Sequence, residues 1–374
     1  MKKKVGIFAI NLSSGGAEKV ISLLLKKLHE DYHVYLILMN DKIHFNIPKE
    51  VEIVFLSKGN TSFFKKIFSF FIMLYKYWKF LNKNNIDVSI SFLTRPNLIN
   101  GCMKYFNPKL KVIISERCFP SIAYRSNILR FKLYKLLFPI FYNKSDLLFS
   151  NSQYINNDLK NNFKVSIPMK VIYNPIELSS GVAYNTDLGN DIIYVGKLVD
   201  IKNPILLLKA IQRENNIDFS ITIVGDGPHK NVLEDYINQC NLKNIYFTGV
   251  VSNVNFYLSK ASFFVLTSNS EGFPNVILEA MNCGLPIVST NCMSGPLEIL
   301  NENISVDIPN GEFCIVKYGI LINVDDDLAL SKAIKELSEN QNLRALLSQR
   351  SLERVKAYSL NSIYNQLNEV IENV

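Results

Sequence analysis

The chain has 374 residues, of which 48% are hydrophobic and 20% charged, and a formal net charge of +8. That length exceeds what one core ordinarily fills and predicts two domains of similar size, while the composition excludes a disordered or low-complexity chain. The positive balance points to an anionic partner: a nucleotide, a nucleic acid or an acidic lipid headgroup.

Cys102, Cys118, Cys240, Cys283, Cys292 and Cys314 are scattered without a C-x-x-C pair. Neither a zinc site nor a disulfide framework is implied, and reduced cytosolic thiols are the expectation. The opening MKKKVGIFAINLSSGG begins like a signal peptide, but its apolar part is only about seven residues long and runs into a Gly-rich turn. It reads as a first strand. No run reaches the roughly 20 apolar residues that a spanning helix needs.

Residues 5–10 form that strand, 11–16 the turn, and 17–28 a helix with Val20, Leu23, Leu24 and Leu28 on its apolar face. Gly15 and Gly16 fit either a plain helix-opening turn or a ligand cradle. Strands at 34–39, 51–56, 86–93, 111–115, 146–150 and 170–173 alternate with helical stretches, the pattern of a parallel doubly wound sheet. Such sheets bind ligands beyond the carboxyl ends of their strands. Two loops at those ends stand out, Thr94-Arg95-Pro96-Asn97 and Ser115-Glu116-Arg117-Cys118.

Residues 61–83 and 125–144 are aromatic-rich and basic without an acid. Lys65, Lys66, Lys76, Lys79 and Lys83, beside Phe, Tyr and the sole Trp, suit an anionic bilayer surface, where each basic residue contributes ~1 kcal/mol. Core helices with snorkelling lysines are the competing reading.

The polar, aperiodic stretch 176–190 reads as a linker. The pattern restarts with a strand at 191–195, after which Asn203 caps and Pro204 opens a helix. Lys197 and Lys202 flank that helix opening, where charge-assisted hydrogen bonds could hold a diphosphate; loop lysines are otherwise simply solvated. A strand at 219–224 leads into Gly225-Asp226-Gly227-Pro228, and one at 244–247 into Thr248-Gly249-Val250-Val251.

Residues 263–266 read as a buried strand and 269–272 as a turn. A helix opens at Pro274 or Asn275, with Val276, Ile277, Ala280 and Met281 on one stripe and Glu279 at its border. Its free N–H groups and about half a positive charge make an anion site. Glu271 and Glu279 would face that site together; alternatively Glu271 complements the helix dipole and Glu279 is solvated. Asp325-Asp326-Asp327 reads as a helix cap and not as a metal site.

Taken together, EGFPNVILEAMNCGLPIVST and GPLEIL resemble the E-x7-E donor region of the retaining family 4 glycosyltransferases. Gly196, Lys197 and Lys202 are similar to that family's G-[RK]-x4-K, Gly225-Asp226-Gly227-Pro228 to its G-x-G-P, and GGAEKV to its amino-terminal loop. The resemblance implies a GT-B fold: two doubly wound parallel-sheet, Rossmann-like α/β domains facing a central cleft. It places an acceptor-side domain at 1–178, a nucleotide-sugar domain at 190–357 and a helix at 358–374 crossing back to the first.

What the resemblance further implies is transfer, with retention, from a UDP sugar to a lipid-linked or glycan acceptor in surface polysaccharide assembly. Gly15, Gly16, Gly196, Gly225, Val251, Phe273, Pro274, Asn275 and Glu279 would bind the donor, Glu279 at the ribose hydroxyls. Lys197 and Lys202 would hold the diphosphate, Glu271 a sugar hydroxyl, and Arg117 would act beside them, with Arg95 and Glu116 on the acceptor side. Many relatives carry a His near Glu116 and Arg117; its absence leaves a structural Glu–Arg ion pair as an equal reading there. No cofactor, metal or nucleic acid is expected, and the implied location is cytoplasmic, peripheral on the inner face of an anionic membrane. An epimerase of the same fold and a non-enzymatic nucleotide or lipid binder are the competing functions.

Overall fold

The computed structural model describes residues 2–13, 15–57, 65–125, 127–179, 191–214 and 220–374, with the backbone alone at 65–69. Much of the expected linker, 180–190, and the start of the first basic aromatic stretch, 61–64, lie outside the described residues, as does Ser180.

In chain order the first elements are β1 (Lys4–Ala9), α1 (Gly16–Asp31), β2 (His33–Leu38), β3 (Glu52–Phe55), α2 (Lys65–Asn84), β4 (Val88–Phe92) and α3 (Thr94–Phe106). Then come β5 (Lys111–Glu116), α4 (Pro120–Ala123), α5 (Ile128–Phe141), β6 (Leu147–Ser150), α6 (Gln153–Phe163) and β7 (Met169–Val171). The second series runs β8 (Asp191–Val195), α7 (Ile205–Gln212), β9 (Ser220–Val224), α8 (Lys230–Gln239), β10 (Ile245–Gly249), α9 (Val254–Leu258), β11 (Phe263–Leu266) and α10 (Asn275–Asn282). It ends with β12 (Ile287–Thr290), α11 (Pro296–Asn301), β13 (Phe313–Val316), β14 (Gly319–Ile322), α12 (Asp327–Glu339), α13 (Gln341–Val355) and α14 (Leu360–Asn373).

The chain divides into one unit of Met1–Pro175 with Leu360–Val374 and a second of Ile176–Ser359. In the first, the strands lie in the order β3-β2-β1-β4-β5-β6-β7, all parallel. The second has the order β10-β9-β8-β11-β12-β14-β13, parallel except for the final β13–β14 pair. Strand order reverses between β1 and β4 and again between β8 and β11. Those are the crevices where a doubly wound sheet takes its ligands.

Both faces of the first sheet are covered. One carries α1 and α14, whose Ile363, Tyr364, Leu367, Val370 and Ile371 share a core with Val5, Ile7, Leu24 and Leu36. Full burial of such side chains stabilises by about 1.5–3 kcal/mol each. Tyr32 donates to Glu372 at 2.6 Å and fixes the end of α14 against the turn after α1. The other face is built around Phe8, Tyr77, Met103, Ile114, Phe138 and Phe163. In the second unit Leu207, Leu208, Ala333, Ile334 and Leu347 close one face over Ile192, Ile223 and Val265.

Local signals set several helix starts. Ser152 accepts from the Tyr154 N–H and Asp326 from the Ala329 N–H, satisfying backbone donors at the openings of α6 and α12. Asn203 departs from the sequence expectation. It takes a left-handed conformation (φ 45°) two residues before α7, and its side chain donates to Asn269 and Asp325 instead of capping. The aspartate run likewise splits three ways: Asp325 accepts from Asn203, Asp326 caps α12, and Asp327 pairs with Arg213.

Candidate functional site

In the second unit, the loops after β8 and β11 leave neighbouring strands at the point where strand order reverses. Lys202 comes from the first loop and Glu271 from the second, and Lys202 Nζ lies 2.5 and 2.6 Å from the two carboxylate oxygens. Glu271 is buried, at 8% exposure, and Ser268 Oγ donates to it at 2.6 Å. Thr267 Oγ1 donates to the Lys202 carbonyl at 2.9 Å, so the loops are joined through backbone as well as charge. Lys197 differs in kind. It is exposed and, among the described residues, has no ion-pair partner, which leaves its ammonium available to an anion.

Three glycines bring further loops to this end of the sheet. Gly225 has φ 137°, and a Cβ there would stand 2.0 Å from the Gly196 carbonyl oxygen. Only glycine lets the two chains approach so closely. The Gly225 N–H donates to the Gly249 carbonyl at 2.9 Å, which draws in the loop holding the half-buried Val251.

The loop into α10 is braced from the side of α11. Ser294 Oγ donates to the Gly272 carbonyl at 2.5 Å, and Ser270 and Met293 form a parallel bridge. Phe273 is buried with its ring 5.9 Å from that of Tyr358, and Pro274 precedes the first helical residue, Asn275. Ile277, Leu278, Ala280 and Met281 face inward, so Leu278 and not Val276 completes the buried stripe. Asn275 and Glu279, four apart on one face, are half-buried. Asn282, at the end of α10, accepts from Ser179 N–H at 3.0 Å and donates to the Glu177 carbonyl, which ties down the beginning of the expected linker.

In the first unit, Gly15 precedes α1 and Gly16 is its first residue. The Glu18 carboxylate folds back over Gly15, close enough that a Cβ on Gly15 would clash with it. Burial raises the Glu18 pKa, and a hydrogen bond from its own backbone N–H opposes the rise. Arg95 is exposed in the first turn of α3.

Glu116 and Arg117 are not the ion pair that the sequence allowed. Glu116 accepts from Tyr142 at 2.8 Å, Thr94 at 3.0 Å and Cys118 at 3.3 Å, within the face formed by α3 and α5. Arg117 takes another direction. Its Nε donates to Ser115 Oγ and one terminal nitrogen to Asn174, both at 2.8 Å, and the guanidinium lies 5.2 and 5.0 Å from the Phe92 and Phe149 ring centres. Glu116 is the last residue of β5 and Arg117 follows it, and the two side chains leave opposite faces of the sheet, Glu116 toward Tyr142 and Arg117 toward Phe92 and Phe149. Burial raises the Glu116 pKa against the pull of its hydrogen bonds. It lowers that of Arg117 to about 9, opposed by the Glu116 charge. One Arg117 terminal nitrogen is buried without a hydrogen-bond partner among the described residues.

The loop motifs thus bring Lys202, Glu271, Gly196 and Gly225 together in one unit. Gly15, Gly16, Arg95, Glu116 and Arg117 belong to the other. Sequence reasoning passed over Ser268, Ser294 and Tyr142; a lone Ser or Tyr in a loop carries no periodicity or spacing that would single it out. Among the described residues no group of three or more His, Cys, Asp or Glu is placed to hold a metal ion. No helix among them is long and apolar enough to cross a membrane.

Residues 14–180 match the family model Glycosyltransferase Family 4, and residues 185–354 match Glycosyl transferases group 1. The chain is 33% identical over 365 residues to the N-acetylgalactosamine-N,N'-diacetylbacillosaminyl-diphospho-undecaprenol 4-alpha-N-acetylgalactosaminyltransferase of Campylobacter jejuni, covering 95% of this chain and 96% of that protein. It is 26% identical to the GalNAc-alpha-(1->4)-GalNAc-alpha-(1->3)-diNAcBac-PP-undecaprenol alpha-1,4-N-acetyl-D-galactosaminyltransferase of the same organism, over 99% of each chain. The solved structure of Anabaena HepE in complex with UDP and glucose aligns with a TM-score of 0.76 at 17% identity over 100% of both chains, a likeness of the GT-B fold.

Proposed function

Because the chain belongs to the family 4 glycosyltransferases, we propose that it moves a sugar from a UDP donor, with retention, onto a saccharide carried by a polyprenyl diphosphate. The product would be an α-linked surface glycan precursor. The observation that carries this reading is the Lys202–Glu271 pair at the β8/β11 crevice, with Lys197, exposed and without an ion-pair partner among the described residues, on the same loop.

In this reading the second unit holds the donor. Lys197 and Lys202 take the diphosphate, Glu279 the ribose, and Glu271, held by Ser268, a hydroxyl of the sugar. As the bond from the anomeric carbon to the diphosphate breaks, negative charge grows on the leaving oxygen, where fixed cations stabilise it most. The acceptor hydroxyl attacks the same face, its proton passes to the departing phosphate, and the new glycosidic bond keeps the α configuration. Two lysines and a helix opening supply the charge that a metal otherwise would, so transfer proceeds in a chelator. The full-length likeness to a transferase named for a diphospho-undecaprenol acceptor supports the lipid carrier, makes N-acetylgalactosamine the first sugar to try, and supports a peripheral position at the inner membrane face.

The test is a panel of UDP sugars offered with short-chain polyprenyl diphosphate saccharides, the products read by mass spectrometry and their anomeric configuration by NMR, with and without EDTA. One UDP sugar should give an α-linked product, and Glu279→Ala should abolish it with the fold intact. Conversion of a UDP sugar without acceptor, a β-linked product, or unchanged turnover by the variant would overturn the reading.

A further inference from the structure

Helix α5 is apolar on two sides. Its inner side is aromatic: Phe138 is fully buried and stacks on Tyr142 at 4.3 Å, and Phe131 and Tyr134 pack against the same core. Its outer side is aliphatic. Leu129, Leu133, Leu136 and Ile140 fall within about 60° of one another at 100° per residue, and they are 78%, 51%, 62% and 41% exposed. A water-facing helix ordinarily carries polar residues there. At one end of this stripe the chain extends the apolar surface: Tyr105, from the end of α3, is 53% exposed and its hydroxyl donates to the Ile140 carbonyl at 3.3 Å.

The charges beside the stripe have one sign. Arg130, Lys132 and Lys135 are exposed, residues 127–144 contain no Asp or Glu, and Lys144 lies 5.5 Å from the Tyr105 ring. A second copy of the chain docked on this stripe would bring cation against cation, which disfavours self-association. A surface with an apolar interior and anionic headgroups satisfies both features at once: the leucines enter the acyl boundary and the basic side chains stay at headgroup level.

We infer that the outer stripe of α5 is a docking surface that seats the first unit on an anionic lipid bilayer. The sequence offered both 61–83 and 125–144, and among the described residues α5 exposes the longer aliphatic run. The inference rests on the reading of a lipid-held acceptor, which it deepens by assigning the face that meets the lipid.

The test uses the full chain and vesicles of phosphatidylethanolamine with phosphatidylglycerol, compared with phosphatidylcholine alone, read by co-sedimentation. The protein should bind the anionic vesicles, and Leu133→Asp with Leu136→Asp should cut the bound fraction about tenfold. Lys132→Glu with Lys135→Glu should lose the preference for anionic lipid. Both double variants keep the melting profile and their turnover on a water-soluble acceptor, because the altered side chains face outward. Wild-type binding by the leucine variant, no binding by the unaltered chain, or a dimer that the leucine variant dissociates while vesicle binding persists would each overturn the inference. If the unaltered chain binds vesicles through this stripe yet transfers no sugar, the proposed function fails and the docking surface stands.

Discussion

Lys202 spans both oxygens of Glu271, and the contact ties the loop after β8 to the loop after β11. The carboxylate is the more deeply buried partner, with side-chain exposures of 29% for the lysine and 7% for the glutamate. Removing the lysine alone strands a charge. Lys202→Ala is expected to lower the unfolding free energy by about 1–3 kcal/mol, below the roughly 3–5 kcal/mol of a fully buried pair because the lysine is partly exposed. Lys202→Met together with Glu271→Gln should recover most of that loss and still transfer no sugar. Urea unfolding of each single variant and of the double variant, beside a turnover assay, separates the two effects; a loss in the double variant equal to the sum of the single losses would show that the pair is not energetically coupled.

Ser268 orients Glu271 without facing solvent itself. Loss of its hydroxyl removes one hydrogen bond to a charged acceptor, worth roughly 1.5–3 kcal/mol before the site relaxes. Ser268→Ala should therefore lower kcat by about tenfold or more, at ~1.4 kcal/mol per decade, with KM for the UDP sugar much less changed. A rise in KM at unaltered kcat would assign Ser268 to donor binding instead.

Gly225 serves the close crossing of two loops. Because a Cβ would meet the Gly196 carbonyl oxygen at 2.0 Å, Gly225→Ala must push the loop after β9 away from the loop that carries Lys197. The strained φ adds about 1–2 kcal/mol for any L-residue in a left-handed region. The expected outcome is a chain that melts lower and binds UDP more weakly, read by calorimetry. Unchanged UDP affinity would detach Gly225 from the donor site.

Glu116 gives the first unit a pH dependence with a definite sign. Burial raises its pKa in the folded state, so the fold holds that proton more tightly than the unfolded chain does. Its contribution is complete below the ordinary glutamate pKa and declines as pH rises toward the folded value. Glu116→Gln abolishes the titration and should flatten stability across that window, measured by urea unfolding at a series of pH values. An identical slope in the variant would mean that another group is responsible.

Much of this was legible in the sequence, for reasons that particular residues make clear. Buried parallel strands are continuous apolar runs, so VGIFA and DIIYV could be seen without a structure, and Gly225-Asp226-Gly227-Pro228 marked a turn by composition. Glu271 and Lys202 were both named, but as separate ligand groups; 69 positions separate them, and nothing in spacing reports that they touch. Asn203 misled because Asn before Pro is a good helix-start signal, whereas here tertiary hydrogen bonds to Asn269 and Asp325 took its side chain. Ser89, Ser91, Asn97 and Asn100 were hidden for a related reason. Polar residues in a strand and helix suggest exposure, yet these four are fully buried and joined to one another between β4 and α3. That residues 125–144 are basic and apolar was legible, but which side of α5 meets water was not, because periodicity shows which positions share a side and not which side is exposed.

The place of α14 bears on how the protein is made. Ile363, Tyr364, Leu367, Val370 and Ile371 complete a core begun by Val5 and Ile7, so the first unit lacks one wall until the second unit has been synthesised. Domains ordinarily fold in the order of synthesis. Here the unit translated first must wait with an open apolar flank, while the one encoded between its halves already has every strand it needs.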